Sequence, residues 1–305
     1  MSIKYWVIAP AIFGLSLLAD TPAMKTKSVD PAYAKTITEY RQTIETTLKS
    51  DTGWLTVAGL HWLKPGETSF GSDAKNGFVL PNGKSPASAG SFHFDGKKVS
   101  LKPAAGSGLL VNGKPFSGGA LIDDGNEKTA DLVTLGDLTM IVIERGGKVG
   151  IRLRDKSSKY RRAFTHRSWF PVKSEYRISG KFLPFATPKK LRVATVIEGV
   201  VEEHESPGEI EFSLGGKTHK LQVLKAADNQ LWLLFRDKSS GKATYPAGRF
   251  LYGELAKDNT VNFDFNKAYN PPCAYTPFAT CPLPPRQNHL TVAIEAGELT
   301  YHLEP

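Results

Sequence analysis

From Trp54 onward, apolar side chains recur at every second residue, and the pattern persists almost to the end of the chain. Only an extended strand puts alternate residues on one face, so this period constrains the fold to β structure. Phe92 and Phe94 meet Val99 and Leu101 across Asp95-Gly96. Leu138, Met140 and Val142 lead into Gly146-Gly147, and Val149, Ile151 and Leu153 lead out of it. Ile210, Phe212 and Leu214 face Leu221 and Val223 across Gly215-Gly216. Asn82-Gly83 and Asn112-Gly113 mark further turns. Each is a hairpin signal, because glycine and asparagine accept the positive φ that tight hairpin turns demand. Leu231 to Phe235 reads as a buried strand, while Val261, Phe263 and Phe265, then Leu290, Val292 and Ile294, alternate. The expectation is a mainly β protein built of sandwiches or barrels.

One helix precedes this region. Asp30 suits an N-cap and Pro31 the first helical position. Tyr33, Ile37, Tyr40, Ile44 and Leu48 then form one apolar stripe, ended by Ser50-Asp51-Thr52-Gly53. We read that stripe as packing. Lys156-Ser-Ser-Lys159 interrupts the strand pattern, which divides the chain into a linker and helix over 24–53, a first β domain over 54–158 and a second over 159–305.

Residues 1–23 have the layout of a signal peptide: Lys4, an apolar run from Tyr5 to Ala19, and small residues Thr21 and Ala23 before a cut. The run is short for a membrane span, and no later segment is apolar enough for one. The expectation is an exported, periplasmic protein with no stable membrane span after cleavage. The net charge of +9 is scattered over Lys97-Lys98, Arg152 to Arg167 and Lys189-Lys190 and includes no basic helix, so nucleic acid is not an expected partner.

The chain's two cysteines, Cys273 and Cys281, lie with six of its twenty prolines in the loop Asn266–Pro285. Proline fixes φ and removes a backbone donor, so this loop is rigid and is neither helix nor central strand. In an oxidising compartment the simplest role for the pair is a disulfide stapling the loop. A reactive thiolate at Cys273 is the alternative, its pKa lowered by Arg236, Arg249 or His61. Two cysteines eight residues apart with no partnered histidine are a weak signal for a metal site.

Around the loop the sequence offers a polar constellation. Asp264 and Asn266 share a strand face opposite the apolar residues. Arg236 and Asp237 follow the buried run, and Tyr245, Arg249, Tyr269, Asn270 and Tyr275 are close in sequence. Two arginines among tyrosine and asparagine donors suit a carboxylate, a phosphate or a polyhydroxylated ligand. No G-x-S-x-G, P-loop, H-E-x-x-H, dinucleotide glycine fingerprint or C-x-x-C occurs, and no cofactor is indicated.

Two resemblances add to this reading. Phe70-Gly-Ser-Asp73, Val79-Leu-Pro81, Val111-Asn-Gly-Lys-Pro115 and Leu135-Gly-Asp-Leu138 resemble a forkhead-associated β-sandwich. That family reads phosphothreonine through an arginine and a Ser-x-x-His loop, and neither is present here, so the resemblance implies the fold without phosphopeptide binding. The mature chain also resembles a prokaryotic family known only as a domain of unknown function. Trp54-Leu-Thr-Val-Ala-Gly-Leu-His-Trp-Leu63, Phe235-Arg-Asp237, Gly248-Arg-Phe250 and Phe265 through Pro285 carry that resemblance, which brings no activity with it.

The fold expected is therefore an N-terminal helix, a forkhead-associated-like sandwich and a second β barrel or sandwich. The function expected is binding of a small polar or anionic ligand in the second domain by Arg236, Asp237, Tyr245, Arg249, Asp264, Asn266, Tyr269, Asn270 and Tyr275. One alternative is a hydrolase or transferase with Cys273 as nucleophile and His61 as base. A structural or partner-binding protein is another.

Overall fold

The computed structural model describes residues 29–125, 130–226 and 229–303. The signal segment expected over 1–23 lies outside the described residues. The helix runs Pro31–Lys49, capped by the Asp30 carboxylate, which accepts the Ala32 N–H at 2.8 Å. Ile37 and Leu48 are buried and Tyr33, Tyr40 and Ile44 half-buried, so the predicted stripe is the packed face.

The first β region is a pair of sheets enclosing one core. One sheet orders its strands Val57–Trp62, Lys148–Asp155, Leu138–Arg145, Val133–Leu135, Leu110–Val111 and Lys114–Pro115. The other orders Phe78–Val79, Gly66–Gly71, Gly90–Phe94, Val99–Pro103 and Gly119–Leu121. The alternating residues meet inside: Phe70 stacks on Phe92 at 4.6 Å, and Leu101, Met140, Ile151 and Leu153 belong to the same core. The hairpin 138–155 turns on Gly146 and Gly147, with φ of 56° and 81°. Two consecutive positive φ values give a twist that matches the flanking strands, and a side chain would be strained at either position.

The second region is a closed six-stranded antiparallel barrel: Arg177–Ala194, Val201–Leu214, Lys217–Lys225, Gln230–Phe235, Arg249–Leu255 and Thr260–Asp264. Pairing of Arg177–Lys181 with Thr260–Asp264 closes it and removes the free edges. Ile210, Phe212, Leu221, Leu233, Val261 and Phe263 fill its interior. The barrel thus decides between the two architectures expected for this region.

One local expectation differs from the structure. Leu290, Val292 and Ile294 alternate but form no strand. They pack against the barrel core; the Leu290 N–H donates to Arg236 O, Val292 O accepts the Lys238 N–H, and Ile294 is held by side chains described below. Glu202-Glu-His-Glu205 lies inside the long strand Val201–Leu214, where its acidic side chains face basic neighbours such as Lys190. Arg161 to Phe170 begins in the short helix Lys159–Ala163 and continues as irregular chain. Among the described residues no helix is long and apolar enough to cross a membrane.

Two predictions follow from this packing. Ile37 is fully buried between the helix and the β body. Ile37→Ala should lower unfolding stability by about 2–5 kcal/mol, read as a fall in the urea midpoint at unchanged slope. His61 stacks on Phe78 at 5.1 Å, and burial holds its pKa below the ordinary value. The fold therefore favours the neutral ring: this contribution is present above about pH 6.5 and lost as pH falls through the lower folded value. Acidifying across that window should lower the Tm of the native chain more than that of His61→Gln; equal slopes would refute the assignment.

Candidate functional site

The cysteine loop is built onto the barrel at both ends. Tyr269 exchanges backbone hydrogen bonds with Phe250 at 2.9 and 3.0 Å. Downstream, Val196 N–H donates to Cys281 O at 2.9 Å, and Leu283 N–H donates to Ala194 O at 2.7 Å. Between these anchors the prolines hold the chain extended or in a single turn, Pro272–Ala274. Thr276 Oγ1 donates to Val57 O at 2.9 Å, and Arg152 Nη2 donates to Thr280 Oγ1 at 3.2 Å, so the loop also touches the sandwich.

A cleft of about 780 Å³ lies where helix, loop, barrel and sandwich strand meet. Aromatic side chains from these parts line it: Tyr40 from the helix, Trp54 from the turn before the first sandwich strand, Trp232 and Tyr252 from the barrel, and Tyr269 and Tyr275 from the loop. Trp232 and Tyr252 are cross-strand neighbours. Their rings and that of Tyr269 lie nearly parallel, 6.4 Å apart at each step, with interplanar angles of 17° and 21°. Burial lifts the Tyr269 and Tyr275 hydroxyls well above the usual phenol pKa, so both stay protonated and able to donate.

The polar floor of the cleft is a buried cluster around Glu298. Its carboxylate accepts from Arg167 Nη1 and the Asn270 N–H, each at 2.8 Å, and from the Tyr275 hydroxyl. Burial raises the Glu298 pKa, and Arg167 opposes that shift. Two atoms of this cluster have no partner among the described residues: Asn270 Oδ1 and Arg167 Nε. Their residues are 1% and 8% exposed, and both line the cleft. A buried amide oxygen without a donor is costly. On the far wall Arg145 pairs with Asp124 at 2.6 Å and with Glu202 at 3.7 Å.

The expected site residues divide into separate groups. Tyr269, Asn270, Tyr275 and Cys281 line the cleft. Arg249 and Asp237 do not. Both side chains are wholly buried and pair at 2.9 Å. Arg249 also donates to the backbone carbonyls of Ile294, Ala296 and Glu298, while Asp237 Oδ1 accepts the N–H of Ile294 and of Ser239. The pair is the lattice on which residues 294–298 hang, which is why that segment needs no neighbouring strand. Asp264 and Asn266 bind the helix to the barrel: Tyr33 donates to Asp264 Oδ2 at 2.7 Å, and Asn266 holds both backbone groups of Lys173. The half-exposed Arg236 contributes backbone bonds to Asn288 and Leu290 and lines neither this cleft nor the one beside Cys273. His61 likewise lines neither. Tyr245 donates to Cys273 O at 2.9 Å and lines that second cleft.

Arg167, Glu298, Trp232, Tyr40 and Trp54 escaped the sequence reading as site residues. Tyr40 was assigned to the packing stripe, and Arg167 sat in a basic run. Glu298, an acid four residues beyond the alternation of Leu290, Val292 and Ile294, was the one available signal.

Replacing Asp237 with Ala would leave Arg249 buried without its counter-charge, and should cost about 3–5 kcal/mol of stability. The same change with Arg249→Met should cost less than the sum of the two singles in a double-mutant cycle.

The family described as "Protein of unknown function (DUF1684)" matches residues 162–299, which hold the barrel and the loop. An uncharacterised protein of Haloarcula marismortui, solved by solution NMR, is 32% identical over 46% of this chain and 79% of its own, with a TM-score of 0.39. The FHA domain of FhaA, solved in complex with an intracellular domain, is 21% identical over 31% of this chain and 97% of its own, at a TM-score of 0.22. An FHA domain from an analysis of phosphothreonine-dependent interactions is 20% identical over 31% and 92%, at 0.23. No curated protein matches the chain. The part of the chain that holds the barrel, the cysteine loop and most of the tail that closes them, residues 162–299, thus matches the DUF1684 family of proteins of unknown function.

Proposed function

We propose that this chain binds a small polar ligand with hydroxyl or amide groups and a flat apolar face, in the cleft between helix and cysteine loop. The observation that carries the reading is the aromatic row of Trp232, Tyr252 and Tyr269 in a cleft whose lining also includes the polar residues Asn270 and Arg167. Aromatic faces take the apolar side of a ring, and a few fixed polar atoms set its orientation.

The charge arrangement narrows the class. Arg167 already has Glu298, and Arg145 already has Asp124 and Glu202. An anion entering here would meet cations whose charge is spoken for and carboxylates that repel it. A neutral polyhydroxylated molecule fits better than a carboxylate or phosphate. Export to the periplasm, expected from residues 1–23, would place such a receptor where small saccharides arrive from outside.

The test is calorimetry with a panel of neutral mono- and disaccharides, set against citrate and phosphate. Binding of at least one saccharide is expected, weakened at least about tenfold by Tyr252→Ala, which removes an exposed ring of the aromatic row and costs about 1.4 kcal/mol or more of affinity. Binding of the anions alone, or saccharide binding indifferent to Tyr252→Ala and Asn270→Ala, would overturn the proposal.

A further inference from the structure

We propose that Cys273 and Cys281 form a dithiol exchange site, in which Cys273 attacks a small disulfide held in the second cleft and Cys281 resolves the product. The two sulfurs are unbonded and adjacent: the Cys273 N–H donates to Cys281 Sγ at 3.2 Å. They differ in access. Cys273 is half-buried in the wall of a separate cleft of about 440 Å³, beside Tyr245, Lys242 and His302. Cys281 is 5% exposed and packs behind it among Trp54, Trp232 and Leu224.

The environments assign the roles. The neighbouring Cys281 side chain, and after it Tyr245, draw the Cys273 pKa down against the opposing effect of burial. Burial drives the Cys281 pKa well up. A thiol that ionises more readily and faces a cleft is the attacking member; a buried thiol that stays protonated waits for a sulfur brought to it. Pro271 and Pro272 fix the turn carrying Cys273, so the two sulfurs keep their relation without a flexible hinge.

The reaction balances with a disulfide RSSR as oxidant. The Cys273 thiolate attacks one sulfur of RSSR, forming Cys273–S–S–R and releasing RS⁻. Cys281 then loses its proton, its sulfur attacks the Cys273 sulfur, and the bond to R breaks with release of a second RS⁻. The two protons of the thiols end on the two RS⁻ groups. The protein dithiol has lost two electrons, and RSSR has gained them.

The probe is oxidised glutathione, added to fully reduced full-length protein at neutral pH and followed by intact mass and peptide mapping. The wild-type chain should lose two hydrogens and release two equivalents of glutathione. Cys281→Ser should stop at one glutathione on Cys273, and Cys273→Ser should leave Cys281 unmodified. A Cys281→Ser protein that keeps its wild-type Tm yet takes no glutathione would overturn the proposal, as would an adduct on Cys281 in Cys273→Ser. Should the serine variants not fold, sub-stoichiometric iodoacetamide on the reduced wild-type protein decides: label on Cys273 first supports the roles, label on Cys281 first refutes them.

Discussion

The ion pair of Arg249 and Asp237 is the interaction on which the rest of this structure depends. Two charges withdrawn completely from water cost several kcal/mol each, and their attraction alone need not offset that. Here the guanidinium also supplies donors to three carbonyls of residues 294–298, and the carboxylate supplies an acceptor to two backbone N–H groups. The side chains thus do for the tail what a neighbouring strand would do in a sheet. An apolar pair of equal volume would fill the space and leave those carbonyls buried without donors. The tail so positioned carries Glu298 into the cleft floor, and Gly297 beside it cannot be enlarged. A Cβ there would stand 2.6 Å from the carbonyl oxygens of Phe265 and Ala268.

From that anchor the cleft assembles outward. Glu298 fixes Arg167, Tyr275 and the Asn270 backbone, so three rigid parts meet at one carboxylate. The helix is held from the other side by Tyr33 on Asp264 and by Tyr40 on the Lys267 carbonyl. Polar residues expected to grip a ligand therefore grip the scaffold, and residues expected to be scaffold form the walls. The exchange is physical rather than accidental. Wholly buried charged groups must be paired, whereas tyrosine and tryptophan tolerate a wall with one wet side.

This explains how far the sequence could be read. Periodicity reports which face of an element is covered, so the helix stripe and the hairpins at Asp95-Gly96, Gly146-Gly147 and Gly215-Gly216 were legible, as was the mainly β class. The loop was legible because proline and cysteine have few alternative uses. Closure of the second region into a barrel was not, since it depends on Arg177–Lys181 meeting Thr260–Asp264 about eighty residues later, and no local signal encodes that distance. Leu290 to Ile294 misled because alternation records burial on one side without recording what satisfies the backbone. The grouping of Arg249 with Asp237 in a structural pair, and of Arg167 with Glu298 in the cleft, depends on contacts that residue type alone does not order.

The loop is the one element that faces both clefts. Cys281 stands in the wall of the aromatic cleft and Cys273 in the wall of the other, with the peptide N–H of one on the sulfur of the other. Any change at the pair therefore acts on a segment already fixed at Tyr269, Thr276, Cys281 and Leu283. A segment held at so many points cannot absorb a covalent change by swinging away; the adjustment must go into side chains that line the clefts. Rigidity of this kind costs backbone entropy that the prolines have largely removed from the unfolded chain already. It is the reason a loop without regular secondary structure can hold two sulfurs, a buried amide and two tyrosines in fixed register with a barrel.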